Sequence, residues 1–473
     1  MHVKIIATLG PASMHPDTMW ELVDAGVRIF RFNFSHSHAA AFAPHIATVR
    51  KLEKEFGFPI TAMGDLCGPK IRIGEVKDSP RQVFKDETLF LGAPGEDAPF
   101  VDRPFISLDI PELLAGLSVG MPVNLSDGLL QFKVSEVLKK DRLYALHAQN
   151  AGMLTSNKGI CFPGKYHPLP ALTEKDIRDV HEGIDVGIDA FAISFVQSPD
   201  DVLLLRKEMQ KHGKDLPIVA KLERRNAVDR LDDILEVADA IMVARGDLGL
   251  ECPLEELPVI QKKIIRACRH AQKPSIVATQ MLLSMVDNPI PTRAEATDVA
   301  NAIMDGADCV MLSEETAVGR HPVGTVKVMH NIADHAIGYY LQRIPTPYPP
   351  GEGQNVPKYL AYAACLLAQN MKSPAMVCHS TSGLTARFMS SRRPKEPVHA
   401  LTTDEEVLRG LNFSWGVTPH LIEHDNRGHM KRVEDFVEDT PDFERNQAII
   451  LTAGQPTPGQ PHPGTNNIKI YYK

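Results

Sequence analysis

The chain of 473 residues contains no Cys-x-x-Cys pair, and its seven cysteines are scattered along it. An odd count without clustering argues against a disulfide framework and for free thiols in a reducing compartment. No apolar stretch approaches the ~20 residues of a membrane helix, so no membrane partner is expected. Residues 1–9 form a short strand-like run without the apolar core of a secretory signal, and a cytoplasmic location is expected. There is no basic tract and no basic patch interleaved with aromatics; 51 basic residues stand against 59 acidic ones, a formal net charge of −8. Nucleic acid is therefore not an expected partner. An anionic substrate would have to be held by locally gathered Lys and Arg, because the overall field does not attract it.

What is present is ordinary in amount and informative in order. Hydrophobic residues make up 43% and charged residues 23%, the balance of a soluble globular protein. At ~100–200 residues per domain the length predicts two to four domains. Strand-like and helix-like runs alternate up to residue 68, with strands expected over 3–8, 28–34 and 60–65 and helices over 16–25 and 39–56. Between 69 and 167 helical periodicity nearly vanishes, and short strand-like pieces (88–91, 122–125, 130–137, 142–148) are split by turns such as 126–128, which reads as an all-β insertion. At Leu172 the βα rhythm resumes. Thr173-Glu-Lys-Asp176 has capping-box spacing with Asp in the last place, a weak helix start. Strands are expected over 190–194, 218–222, 240–244, 275–279 and 309–312. With the first three that makes eight, which fits a TIM (β/α)8 barrel carrying one insertion. A Pro-rich linker, 343–351, precedes a helix (356–370) and strands over 375–379, 398–402, 448–451 and 468–471, read as a C-terminal α/β domain. The expected division is 1–68 with 168–342 as the barrel, 69–167 as an inserted β-barrel lid, and 343–473 as a C-terminal domain for effector binding and oligomerisation.

Residues 218–249 carry the densest chemistry. They read Ile-Val-Ala-Lys221-Leu-Glu223, a helical segment, then Ala-Ile-Met-Val-Ala-Arg245-Gly246-Asp247-Leu-Gly249. Each half is a short apolar run of the kind buried on both faces, and each ends abruptly in charge. Two carboxylates with a lysine beside them suit a divalent metal in phosphoryl or enolate chemistry. Polar residues end the other proposed strands too: Arg31 and Asn33 followed by Ser35 and His36, then Asp65, Thr279 and Ser313. In a barrel these ends share one rim, where active sites form. One charged strand end is commonly a cap or a loop contact; six or seven together are hard to explain that way.

Several strings identify the family this chain resembles. Thr8-Leu-Gly-Pro-Ala-Ser13, Arg31-Phe-Asn-Phe-Ser-His36, Asp65-Leu-Cys-Gly-Pro-Lys-Ile-Arg72, Lys221-Leu-Glu223, Val243-Ala-Arg-Gly-Asp-Leu-Gly249, Ala278-Thr-Gln-Met281 and Pro291-Thr-Arg-Ala-Glu-Ala-Thr-Asp-Val-Ala-Asn301 all look like pyruvate kinase. The likeness is collinear over nearly the whole chain. It implies phosphoryl transfer from phosphoenolpyruvate to ADP, giving pyruvate and ATP in glycolysis, and a homotetramer. Two other readings remain at this point. A barrel lyase acting on phosphoenolpyruvate or a 2-oxoacid would not need a nucleotide-binding insertion, and a regulatory paralogue without catalysis would not need Arg31, Lys221, Glu223, Asp247 and Thr279 intact.

The resemblance also implies roles. Glu223 and Asp247 bind Mg²⁺ (or Mn²⁺), a hard cation that takes one or two carboxylates. Lys221 neutralises charge on the phosphoryl group in flight, and Arg31 grips phosphate with its forked donors. Gly246 and Asp247 offer amides to the substrate carboxylate at a helix start. Thr279 and Ser313 belong to a water relay that delivers a proton to the enolate carbon. Asn33, Phe34, Ser35, His36, Arg72 and Lys158 fall at nucleotide-contacting positions, Lys158 on the insertion. Asn33, Ser35, Asp65 and Leu66 fall where potassium-requiring members hold the ion, but Lys70 stands where those members carry Glu and Leu66 where they carry Thr. A fixed ammonium there makes potassium dispensable. Arg224 and Asn226 follow Glu223 where Asn and Glu or Gln are commoner, and Glu314 stands where Gly is usual. Ser380, Thr381, Ser382, Gly383 and Thr385 match the sugar-phosphate effector loop, although Leu384 replaces its usual Lys or Arg; an allosteric sugar-phosphate or nucleotide effector is expected. Arg392 and Arg393 are candidates for a second phosphate.

Overall fold

The structure is a computed structural model that describes residues 2–69, 71–96, 103–108, 110–126, 128–165, 169–351, 353, 355–454 and 464–473. Lys70, and Asp127 of the expected turn at 126–128, lie outside the described residues.

The expected (β/α)8 barrel is present. Eight parallel strands, Lys4–Thr8, Val27–Asn33, Thr61–Asp65, Ala190–Ile193, Ile218–Leu222, Ala240–Ala244, Ser275–Ala278 and Cys309–Leu312, close on themselves in chain order. Successive side chains on a strand face opposite ways, and the core sorts accordingly. Ile6, Ile29, Met63, Val219, Met242, Ile276 and Met311 fill the barrel interior, while Ile5, Ala7, Phe30, Ile218, Val243 and Val310 join the helix-facing layer. Strands packed on both faces need continuous apolar runs, which is why they stand out in the sequence. The helix after the insertion begins at the box noted above: the Thr173 side chain accepts from the Asp176 amide, and the Asp176 side chain accepts from the Thr173 amide at 2.8 Å. Asp is long enough to close it. Residues 39–56 divide into a short 3₁₀ turn (Ala39–Phe42) and a helix (Ala43–Phe56) with Pro44 in its first turn, where a missing N–H costs nothing.

The insertion forms a six-stranded sheet and a separate two-stranded one. Its longest strand, Leu130–Lys139, pairs antiparallel with both Pro122–Leu125 and Leu143–Ala148. The two edges of the larger sheet are joined through residues 71–74: Arg72 bridges to Gly159 on one side and Ile73 to Leu108 on the other. Closing the sheet on itself removes free edges.

The C-terminal domain is a five-stranded sheet, parallel except for its last strand, Asn467–Tyr472, which runs antiparallel to Ala448–Ala453. One strand, Val417–Leu421, was not foreseen. It carries Pro419, which argues against a central strand, but it lies at the sheet edge, where a missing N–H is tolerated. This domain plugs the amino-terminal end of the barrel. Phe413 joins the interior cluster, and the Lys4 ammonium donates to the Val417 carbonyl at 2.6 Å. Arg393, 2% exposed, donates to Asp308 at 2.9 Å and to the Gly306 carbonyl at 2.7 Å. The guanidinium read as a candidate phosphate ligand is thus paired inside the junction. Removing one partner of a buried pair strands the other charge. Arg393→Met is therefore expected to cost roughly 3–5 kcal/mol, read as an earlier urea midpoint than wild type; an unchanged midpoint would contradict it.

Candidate active site

The carboxyl ends of the strands converge on one buried carboxylate. Asp65 ends the third barrel strand and is 1% exposed. Arg31, from the second strand, donates to Asp65 Oδ2 at 2.5 Å and to Thr8 Oγ1 at 3.0 Å. Lys221, from the fifth, donates to Asp65 Oδ1 at 3.2 Å and to Ser194 Oγ at 2.8 Å, and lies 2.9 Å from Glu223 Oε1. Burial would raise the Asp65 carboxyl, but Arg31 and Lys221 hold it below its ordinary range. Burial would likewise strip the proton from Lys221, but Asp65 and Glu223 push its affinity the other way, above the ordinary value. The ammonium therefore stays charged in a site where its field is little screened.

Glu223 is held by both oxygens. Oε1 meets Lys221, and Oε2 accepts the Phe195 N–H at 2.7 Å. Its carboxyl is raised above the usual range, first by burial and then by the negative charge of Asp247, with Lys221 opposing both. Asp247 sits in the first turn of a seven-residue helix, Arg245–Glu251, that starts where the sixth barrel strand ends. Two neighbouring carboxylates, of which only Glu223 is paired with a lysine, make a poor resting arrangement. A small divalent cation relieves it, and the donor set, two carboxylate oxygens on rigid elements, fits Mg²⁺ or Mn²⁺.

Thr279 follows the seventh strand with φ +68°, and Gln280 follows with φ +53°. A β-branched residue in the left-handed region costs on the order of 1–3 kcal/mol unless its surroundings hold it. Arg245 does so: it donates to the Ala278 carbonyl at 3.2 Å and the Thr279 carbonyl at 2.7 Å, and is itself anchored on Asp298 at 2.7 Å. The Thr279 hydroxyl accepts the Gly246 N–H at 2.8 Å. Ser313 donates its N–H to Glu315 Oε2 at 2.7 Å, while Glu315 Oε1 takes the Leu282 amide at 3.1 Å. Glu314 points to solvent.

The remaining expected residues divide by location. Asn33 Oδ1 accepts the Ser35 amide at 3.1 Å, and His36 is exposed on the same loop. Phe34 is wholly buried, stacked against Phe42, so only its backbone faces the loop. Its carbonyl takes the Lys175 ammonium at 2.6 Å. The Leu66 carbonyl accepts the Ser194 hydroxyl at 2.7 Å. Arg72 and Lys158 are exposed on the inserted module, where Arg72 donates to the Asn157 carbonyl at 3.0 Å. A cavity of about 50 Å³ opens between the two parts, lined by Glu223, Asp247 and Glu251 from the barrel and by Asn124, Gly159 and Cys161 from the module. Asn124 donates to the Leu250 carbonyl at 3.0 Å, and Glu251 accepts the Gly164 amide at 3.3 Å. In the C-terminal domain Ser380, Thr381, Ser382 and Thr385 line a separate cavity of about 130 Å³ with His379 and His429. There the Thr385 amide is taken by Ser380 Oγ at 3.2 Å, Gly383 turns the chain at φ +76°, and Leu384 is 45% exposed. Sequence reasoning gave no role to Thr8, Ser194, Arg245 or Glu315. The first two are hydroxyls at strand ends, a signal that the rim argument already contained.

A closed parallel barrel with a buried ammonium and paired carboxylates on its carboxyl rim defines an enzyme of the (β/α)8 class built for anionic substrates. The chain belongs to the pyruvate kinase family: residues 1–326 match the family's barrel domain and residues 358–471 its alpha/beta domain. It is 39% identical to a pyruvate kinase of Agrobacterium vitis over 476 residues, covering 99% of this chain and 96% of the relative. A pyruvate kinase of Thermococcus litoralis is 36% identical over 477 residues, covering 99% and 98%, and one of Bacillus licheniformis is 37% identical over 476 residues, covering 99% and 80%. It is accordingly a phosphotransferase. Among the described residues no helix is long and apolar enough to cross a membrane.

Proposed function

We propose that this rim performs the pyruvate kinase reaction, in which phosphoenolpyruvate, ADP and a proton give pyruvate and ATP. The observation that carries it is the Lys221 ammonium held charged between Asp65 and Glu223. Glu223 and Asp247 hold Mg²⁺ (or Mn²⁺), which when bound supplies positive charge to phosphoryl and enolate oxygens. Lys221 and Arg31 set two further positive charges where the phosphoryl group passes. Because both are already fixed on Asp65, little reorganisation accompanies transfer. The amides of Gly246 and Asp247 face the substrate carboxylate, and substrate displaces the Thr279 hydroxyl from Gly246. Thr279, with Ser313, then orients water for protonation of the enolate carbon. Arg72 and Lys158, with the loop from Asn33 to His36, take the nucleotide, and the inserted module (69–167) closes as a lid that excludes water. The test is a coupled assay with Mg²⁺, ADP and phosphoenolpyruvate. ATP formed in step with pyruvate is expected, and pyruvate released without ATP would overturn the reading.

Potassium is proposed to be dispensable. The oxygens a monovalent ion would use already serve protein donors: Asp65 takes Arg31 and Lys221, Leu66 takes Ser194, and Asn33 takes the Ser35 amide. Lys70, outside the described residues, is proposed to supply the charge that the ion would bring. Turnover without monovalent cations is expected to match that with potassium within about twofold, whereas Lys70→Glu makes potassium raise turnover about tenfold or more, an ion's worth of charge at the phosphates. Loss of nearly all wild-type activity without potassium would refute it.

The enzyme is further proposed to be a cytoplasmic homotetramer. The cavity at Ser380–Thr385 is proposed to take a phosphorylated sugar or nucleotide effector, with hydroxyls rather than Lys or Arg lining it among the described residues.

A further inference from the structure

Arg224 is a buried cation at this rim that the reaction scheme leaves unused. It follows Glu223 directly, is 5% exposed, and lies 5.3 Å over the Phe195 ring. It lines the cavity shared by Glu223, Asp247 and Glu251. Its Nη1 has no hydrogen-bond partner among the described residues. Burying a guanidinium N–H without an acceptor is costly, and native proteins seldom leave one so. An acceptor that arrives with a ligand resolves the cost.

The position of the cavity selects the ligand. Its module-side wall includes Ile71 and Gly159, the neighbours of Arg72 and Lys158, and Arg72 and Gly159 are paired through their backbones. Its barrel-side wall is the metal-carboxylate pair. On the nucleotide assignment proposed above, a diphosphate reaching from the module toward Glu223 and Asp247 would enter the cavity that Arg224 lines. The phosphoenolpyruvate phosphate, by contrast, is met by Arg31 and Lys221 around Asp65. A planar guanidinium matches phosphate oxygens in geometry as well as charge. We propose that Arg224 is a further substrate-binding residue, which donates through Nη1 to a phosphate oxygen of ADP and sets its diphosphate against the metal carboxylates. This rests on the assignment of the cleft between rim and inserted module to the nucleotide.

The test uses the full-length enzyme with ADP and phosphoenolpyruvate varied separately. Arg224→Asn is chosen because Asn is common at this position in the family, so that the fold tolerates it; Arg224→Lys is the conservative variant. Arg224→Asn is expected to raise KM for ADP about tenfold, the worth of one charge-assisted hydrogen bond, and to move KM for phosphoenolpyruvate less than about twofold. Arg224→Lys recovers part of the loss. Lys158→Met is measured in parallel. If Lys158→Met weakens ADP while both Arg224 variants leave it unchanged, Arg224 is not a nucleotide ligand although the cleft is the nucleotide site. If none of the three weakens ADP, the cleft assignment fails and the proposal with it. If Arg224→Asn raises both KM values equally, lowers the melting temperature, and is copied by Glu251→Gln, Arg224 serves only as a buried counter-charge and the proposal is overturned.

Discussion

Lys221→Met is expected to lower kcat by roughly 10³–10⁵-fold, the range seen when a cation on a transferring phosphoryl group is removed. The ammonium touches three groups of this rim: Asp65, Ser194 and Glu223. Methionine keeps the length and apolar stem but no donor. Asp65 keeps Arg31 and Glu223 keeps the Phe195 amide, so the carboxylates stay in place while their neutralising charge is lost. KM for phosphoenolpyruvate is expected to move much less than kcat, because the charge Lys221 meets grows in the transition state. Loss of a buried partner also costs stability, so the variant is to be assayed well below its melting temperature. A Lys221→Met enzyme that retained a tenth of wild-type kcat would remove the basis for the mechanism.

Glu223→Gln separates metal binding from the rest of the site. The amide keeps the shape and an acceptor for Phe195, but it removes the negative charge that faces Asp247. Mn²⁺ binding, followed by the signal of the free ion in spin resonance, is expected to weaken about 10–100-fold or more, since loss even of a supporting partner to a metal ligand costs that much. kcat at saturating metal is expected to fall about 10²-fold or more, because a carboxamide is a far weaker ligand and leaves Lys221 pulled toward Asp65 alone. Unaltered Mn²⁺ affinity would mean that Glu223 is no ligand and merely a counter-charge to Lys221.

The parts of this molecule legible in its sequence are those where one local rule governs. Barrel strands packed on both faces need unbroken apolar runs, and the rim needs charge immediately after them, so Lys221, Glu223, Asp247 and Asp65 announced themselves in one dimension. Features made by two distant segments did not. Nothing local marks Phe413 as a barrel plug or Arg393 as the partner of Asp308, because both depend on how the C-terminal domain meets the barrel floor. Arg245 read as part of a motif, yet its work is to hold Thr279 at a backbone angle that no propensity scale anticipates. Strand 417–421 was hidden by Pro419, because a sequence does not say which strand lies at an edge. Phe34 shows the converse: its string matched a nucleotide loop, but its ring belongs to the core.

The helix Arg245–Glu251 joins two duties over about 10 Å, seven residues at ~1.5 Å each. Its first turn carries Asp247, and its last residues, Leu250 and Glu251, are where the inserted module rests. Two turns of helix do not bend independently at their ends. A swing of the module that drags on Leu250 must tilt the Asp247 carboxylate as well. On the proposed assignment of metal to Asp247 and nucleotide to the module, the two ligands sit at the ends of one lever, and by thermodynamic reciprocity each changes the affinity for the other by the same factor.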